Sequence, residues 1–234
     1  MKIFKVAVLC CASALVLGSC NKGGSSVKLR NSVDSMSYSI GVIIGTNLKE
    51  NAGLDEINDK VFAQAIREIM AGKKSKITPE EADKFLNEYM MQQQAKVGKK
   101  NLEEGKKFLD ENKKKSGIVT LASGVQYQVI NEGSGACPKD TDMVTVNYTG
   151  TLIDGTVFDS SVERGQPASF PVNRVIPGWS EALKLMKPGA KWKVFIPSEL
   201  AYGERGAGGK IKPNAVLIFE IELISIGAPK EAGK

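Results

Sequence analysis

No histidine occurs anywhere in the 234 residues. That absence removes Ser-His-Asp and Cys-His catalysis and every His-ligated metal site. It also leaves the chain without the side chain that ordinarily carries protons near neutral pH. Cysteine is nearly as scarce: of four, Cys10, Cys11 and Cys20 sit at the N-terminus and Cys137 stands alone in the body. A single thiol makes no internal disulfide, and between Ala136 and Pro138 it reads as an inert loop residue. There is no zinc-finger spacing, no arginine cluster and no interleaving of aromatic with basic residues. Neither a metal, a cofactor nor nucleic acid is expected. The longest apolar run, Val6 to Leu17, is too short to span a bilayer as a mature helix.

What is present begins with charge. The chain carries a formal net charge of +6, and much of the excess falls between Lys96 and Lys115, where lysines outnumber acids. A basic balance admits an anionic partner, but this pattern reads as a solvated helix face. The N-terminus has its own logic. Lys2 and Lys5 precede the apolar run, and Leu17-Gly18-Ser19-Cys20 follows it, which is the layout of an export signal. Small residues before a cysteine resemble the lipobox of bacterial lipoproteins. That resemblance implies cleavage after residue 19, lipidation of Cys20 and a bacterial cell-envelope location. Asn21 in place of Asp favours the outer membrane; the periplasmic face is the expectation, with the sequence leaving the cell surface open as the alternative. Several acyl chains anchor firmly, since each buried methylene contributes about 0.8 kcal/mol. Residues 20–31 then form the lipidated cysteine and a flexible tether.

From residue 32 to 115 the apolar period is helical. Met36, Ile40, Ile43, Ile44 and Leu48 share one face, and Val61, Phe62, Ala65, Ile66, Ile69 and Met70 form a second stripe closed by Gly72. Gly41 and Gly45, four apart, are small enough to let another helix approach. Thr78-Pro79-Glu80-Glu81 is a helix start, with a capping threonine, a proline at the first position and a glutamate completing a capping box. The long proline-free stretch after it has a thin apolar stripe and is expected to be a partly solvated helix bridging two bodies. From residue 116 to 227 the period becomes that of strands. Gly124 to Ile130, Met143 to Tyr148, Lys191 to Ile196 and Val216 to Ile226 are expected strands, with Ser180 to Met186 as a short helix. Residues 228–234 are a tail. The expected class is α+β, an antiparallel sheet with one short helix behind a helical region.

Within the strand-rich half five motifs occur in order: Val146-Asn147-Tyr148-Thr149-Gly150-Thr151-Leu152 with Gly155 to Ser161; Val175-Ile176-Pro177-Gly178-Trp179; Met186-Lys187-Pro188-Gly189; Ile196-Pro197 with Ala201-Tyr202-Gly203; and Ile211 to Phe219. Together they resemble the catalytic domain of FKBP-type peptidyl-prolyl cis/trans isomerases. The helical half resembles the dimerisation region of Mip-like and FkpA-like members through Ser37 to Gly41, the Asp59 to Gly72 helix and the Thr78 start. The resemblance implies a half-open antiparallel sheet wrapped around a short helix, joined by a long helix to a homodimerising region. It implies unfolded, proline-containing polypeptides as substrates, exported proteins among them, and chaperone activity from the helical half.

The roles it implies are these. Trp179 forms the floor of the proline pocket, and Tyr148, Phe158, Val175, Ile176 and Phe219 its walls, with Phe170 and Ile211 as further substrate-binding residues. The Ile176 N–H and the Tyr202 hydroxyl donate to substrate carbonyls, and Asp159 stands at the edge. A pocket of this kind also takes macrolide inhibitors. Ala168, where an aromatic wall is usual, and Ala207 and Lys210 in the glycine-rich loop after Tyr202 depart from the pattern and bear on that affinity. The chemistry suits a chain without histidine. Rotation about an X-Pro amide, with its barrier of roughly 18–20 kcal/mol, needs no proton transfer, nucleophile or metal. An enzyme need only bind the twisted amide better than the planar forms. The alternatives from other classes are a non-enzymatic periplasmic holdase or binding module on the same fold, and a basic protein of nucleic-acid or membrane surfaces.

Overall fold

The computed structural model describes residues 27–51, 54 and 56–227. The export signal at 1–19, Cys20, the tether as far as residue 26 and the tail at 228–234 lie outside the described residues. Among the described residues no helix is long and apolar enough to cross a membrane.

Three helices come first: α1 (Ser32–Thr46), running on into a π-helical turn, α2 (Asp59–Met70) and α3 (Pro79–Asn112). Each starts or stops where side-chain chemistry demands. Asn58 caps α2 by accepting the Val61 N–H at 3.1 Å, and Gly72, at φ 64°, takes the left-handed turn that ends it. At Thr78 the capping box is complete. The threonine hydroxyl accepts the Glu81 N–H at 3.2 Å, and the Glu81 carboxylate accepts the Thr78 N–H at 2.8 Å. Neither α1 nor α2 has a buried residue, and the apolar side chains of both stripes are exposed apart from the half-buried Ile44 and Leu48.

The strands are β1 (Ile118–Thr120), β2 (Gln126–Asn131), β3 (Met143–Thr151), β4 (Val157–Ser160), β5 (Ala168–Pro171), β6 (Lys191–Ile196) and β7 (Leu217–Gly227). All pair antiparallel in the order β1-β2-β6-β7-β3-β4, with β5 also on β3. Along β3 the alternation puts Val144, Val146, Tyr148 and Gly150 inward. The short helix α4 (Pro177–Leu183) begins three residues earlier than its sequence pattern suggested, because Pro177 at the first position is preorganised for a helix. Trp179, Ala182, Leu183 and Met186, spaced i, i+3, i+4 and i+7, are all buried against the sheet. With Val194, Ile196, Leu217, Ile221 and Leu223 they make one continuous core.

The second half of α3 packs on this sheet. Its three buried residues, Gly98, Gly105 and Asn112, are spaced by seven. They belong to a heptad visible in Lys99-Lys100-Asn101-Leu102-Glu103-Glu104-Gly105 and Lys106-Lys107-Phe108-Leu109-Asp110-Glu111-Asn112. Seven residues are nearly two turns, so the small residues line one face and the charged pairs the other. Asn112 Nδ2 donates to Gln126 Oε1 at 2.9 Å, and Gln126 Nε2 donates to the Leu109 carbonyl at 2.9 Å, beside the Lys113 N–H that the same carbonyl accepts at 3.0 Å. Phe108 and Phe195 meet at 6.0 Å between centroids.

Candidate active site

A cavity of about 430 Å³ opens between β3, β4, β5, β7, α4 and the turn at Tyr202. Its aromatic side chains meet edge to face, the arrangement their ring quadrupoles favour. The Trp179 ring lies 5.1 Å from Tyr148, 5.1 Å from Phe219 and 5.9 Å from Phe170, with interplanar angles of 87°, 83° and 89°. Phe158 meets Phe219 at 5.4 Å and 88°. The buried Trp179 Nε1 has no hydrogen-bond partner among the described residues, so ring packing alone sets the orientation of the indole.

Two glycines make this cluster fit. A Cβ at Gly150 would lie 2.5 Å from Phe158 Cζ and 2.7 Å from Phe219 Cε1. A Cβ at Gly178 would lie 2.4 Å from Ile196 Cγ2, so α4 could not come close enough to seat the neighbouring Trp179. Backbone and side-chain bonds fix the rest. Ser161 Oγ accepts the Tyr148 N–H at 2.8 Å, and Ser180 Oγ donates to the Val172 carbonyl at 2.6 Å, pinning α4 to the turn that carries Arg174 and Val175.

One polar cluster interrupts the apolar wall. The Tyr148 hydroxyl donates to Asp159 Oδ2 at 2.5 Å, and Arg164 reaches both, its Nη2 donating to the Tyr148 hydroxyl at 2.9 Å and its Nη1 to Asp159 Oδ1. The guanidinium also stands over the Tyr148 ring at 5.6 Å. Burial works to raise the Asp159 pKa, but the hydrogen bonds from Tyr148 and Arg164, with the arginine charge, outweigh it and hold the carboxyl below its ordinary range. Burial, and then the Asp159 hydrogen bond, push the Tyr148 phenol above its ordinary value. At neutral pH the trio is carboxylate, phenol and guanidinium, and the carboxylate charge is compensated.

Of the residues singled out in the sequence, Tyr148, Phe158, Asp159, Phe170, Val175, Ile176, Trp179, Tyr202 and Phe219 all line this cavity. Ile211 does not. It is buried in the core beside the cavity, and its backbone exchanges hydrogen bonds with Ala207. Two donors are unengaged: neither the Ile176 N–H nor the Tyr202 hydroxyl has a partner among the described residues. Sequence reasoning passed over Arg164, which ties Asp159 to Tyr148, and Arg174, which lines the cavity. The first could have been found as a cation five residues beyond Asp159, in a turn ended by Gly165. The second stands immediately before the Val175 motif.

This arrangement offers an apolar recess, two free donors and no proton carrier of neutral pKa, which is what twisting an amide requires and what acid–base hydrolysis would lack. Comparison with known proteins agrees. Residues 135–224 match the family model described as FKBP-type peptidyl-prolyl cis-trans isomerase, and residues 33–129 match the domain amino terminal to it. The "Outer membrane protein MIP" of Legionella longbeachae is 45% identical over 233 residues, covering 97% of each chain. The FKBP-type 22 kDa isomerase of Escherichia coli is 48% identical over 194 residues, covering 81% of this chain and 93% of its own. The crystal structure of FkpA from Escherichia coli superposes with a TM-score of 0.61 at 36% identity, over 86% of this chain and 99% of that one. An aromatic recess built for a ring and a helical domain ahead of it thus have the same explanation: the chain belongs to the Mip/FkpA family of FKBP-type peptidyl-prolyl cis-trans isomerases.

Proposed function

We propose that the cavity around Trp179 takes the proline ring of an exported polypeptide and turns its X-Pro bond as follows. The ring rests on Trp179, flanked by Tyr148, Phe158, Phe170, Val175, Ile176 and Phe219. A twisted amide has lost resonance and with it charge separation, so a water-poor apolar recess favours it over either planar form. The Ile176 N–H and the Tyr202 hydroxyl donate to carbonyls flanking the bond and hold the chain while it rotates. Asp159, its charge compensated by Arg164, orients the edge of the recess without taking a proton. The observation that carries this reading is the edge-to-face aromatic cluster centred on Trp179 beside two unengaged donors. A protease-coupled assay on a chromogenic X-Pro peptide, with and without a macrolide inhibitor, tests it. Inhibitor-sensitive turnover supports the site. Turnover unaffected by Trp179→Ala in a folded protein would sink it.

The same reading extends to the rest of the chain. Residues 1–19 direct export, Cys20 carries the lipid, and the protein sits on the periplasmic side of the outer membrane. The Legionella relative is named an outer membrane protein, which supports the membrane assigned here. Residues 32–115 pair with a second copy and residues 116–227 form the catalytic domain. The support for pairing lies in the exposed stripes of α1 and α2 and in the open space at Gly41 and Gly45, where a Cβ would meet nothing within 4 Å. Closure by a second copy would bury those faces about a two-fold axis. Two catalytic domains then flank one client, which gives the chaperone activity. Cys20→Ala tests the anchor: the variant should leave the membrane fraction and take up no labelled fatty acid, and retention with labelling would contradict it.

A further inference from the structure

The middle of α3 is tied to the segment between Tyr202 and β7. Asn101 Nδ2 donates to the Pro213 carbonyl at 2.8 Å, and Asn214 Nδ2 donates back to the Gly98 carbonyl at 3.2 Å. The helix comes this close because residue 98 is glycine. A Cβ there would stand 3.1 Å from Pro213 Cβ and 3.3 Å from Asn214 Nδ2. One heptad on, a Cβ at Gly105 would come within 2.8 Å of Val216 Cγ2. Val216 leads directly into the strand that carries Phe219 to the cavity.

Asn214 has φ 57°, the one left-handed residue other than glycine among those described. That conformation persists only where the surroundings hold it. Here both ends of the residue are held. Its N–H donates to the Gly203 carbonyl at 2.9 Å while its side-chain amide reaches α3. Gly203 follows Tyr202, so hydrogen bonds run unbroken from the helix to the carbonyl of the residue after that tyrosine. The hairpin between is tight. Ala207 and Ile211 exchange both backbone bonds at 2.8 and 3.0 Å, and a Cβ at Gly206 would lie 2.1 Å from the Ile211 carbonyl oxygen. Such a hairpin moves as one body, and its placement is decided at its ends, where α3 sits. Tyr202 is 42% exposed and its own hydroxyl is bonded to nothing described, so little else fixes it.

We propose that Asn101, in the helix outside the FKBP sheet, is a positioning residue for the isomerisation. Through Pro213, Asn214 and Gly203 it sets where the Tyr202 hydroxyl stands, and the second half of α3 is thereby part of the catalytic apparatus. The inference rests on the reading of Tyr202 as a substrate donor. The test is a double-mutant cycle in the full chain, with kcat/KM on an X-Pro peptide as readout. Asn101→Ala should lower kcat/KM by about three- to tenfold, the worth of one hydrogen bond acting in the transition state. In a Tyr202→Phe background the same substitution should cost less than about twofold, because the group it positions is gone. Gly98→Ala, which wedges the contact without removing a polar group, should reproduce the pattern. Lys99→Ala, on the charged face of the same turn, should change nothing. Equal losses in both backgrounds would show a merely structural role and overturn the inference. A loss on Tyr202→Phe with none on Asn101→Ala or Gly98→Ala overturns it too, while leaving the site reading intact. No loss on Tyr202→Phe overturns both.

Discussion

Trp179 and Ile66 are both large apolar side chains on helices, yet one is 4% exposed and the other 44%. The difference separates two ways of using hydrophobic residues. In the sheet-bearing half, the inner face of the sheet and the apolar face of α4 are closed by their own chain in one core. α4 lies under β6 and β7, and the aromatic rings of the cavity brace one another. In α1 and α2 the stripes are as regular, but most of their large apolar side chains, Met36, Ile40, Val61, Ile66 and Met70 among them, stand exposed. A stripe is stable in water only when something closes it. The first region closes its main core with its own atoms, and on the proposed pairing the second is closed by a second copy. On that reading a folded domain and an assembly surface share one sequence and differ in where the partner atoms come from.

Removing Trp179 should have the largest effect. Trp179→Ala takes the centre from three ring contacts and should cost about 3–5 kcal/mol of stability. Peptide turnover should fall at least about tenfold, while light scattering still reports the oligomer. A folded, fully active variant would show that the closed region does not owe its function to that core. The converse experiment places a charge in the open stripe. Ile66→Asp should convert a dimer to a monomer in light scattering and leave turnover of a short peptide unchanged. Proline-limited refolding of a whole protein should slow several-fold as linkage between sites is lost. If Ile66→Asp leaves the oligomer intact, that stripe is not the surface that pairs.

Titration gives a smaller effect and sharpens the closed half alone. The folded pKa of Asp159 is lowered, so its contribution to stability is full above the ordinary carboxylate range and is lost as pH falls through the depressed value. The folded pKa of Tyr148 is raised, so its contribution is full below about 10 and is lost as pH rises beyond it. Between those edges neither Asp159 nor Tyr148 changes charge, and kcat/KM should be flat from about pH 6 to 8. Arg164→Ala should move the acid edge of the stability profile upward. A bell-shaped profile centred near neutrality would instead point to acid–base chemistry at Asp159. The smallest effect concerns selectivity. Arg174 lines the cavity, exposed and with no carboxylate partner among the described residues. Arg174→Glu should shift the ratio of kcat/KM for acidic against basic residues before proline by roughly two- to fivefold, as expected for an exposed charge pair.

The sequence makes these two regions legible to different depths. Motifs carry the cavity well: Tyr148, Trp179 and Phe219, each singled out from its own motif, all line it. The strand at Lys191–Ile196 coincides with its alternating pattern, and the following one begins and ends a residue later than its pattern. The α3 start was visible down to the capping glutamate. What stayed hidden depends on contacts across long sequence separations. Nothing local in Asn101 or Asn214 announces a bond spanning more than a hundred residues. Gly98 and Gly105 look like weak helix formers until Pro213 and Val216 are placed against them. Ile211 shows the opposite error: its motif is in place, but the hairpin turns it into the core and away from the cavity. Arg164 was overlooked because a surface cation in a turn looks like any other until Asp159 and Tyr148 are seen to share it.

The length of α3 has a consequence of its own. The helix runs 34 residues, and before Gly98 none of them is buried. At 1.5 Å and 100° per residue, the stretch from Thr78 to Val97 is a shaft about 28 Å long. Its docked end is keyed to the catalytic sheet by small residues on a single face. A shaft keyed at one end transmits angle more faithfully than distance. Adding or removing one residue in the exposed stretch shifts the far end by only about 1.5 Å along the axis but turns it about 100° around it. Insertions of seven residues should therefore be tolerated and insertions of two should not, as judged by whole-protein refolding. On the proposed pairing, the helical phase of the connector, more than its reach, would set which way the cavity faces a client.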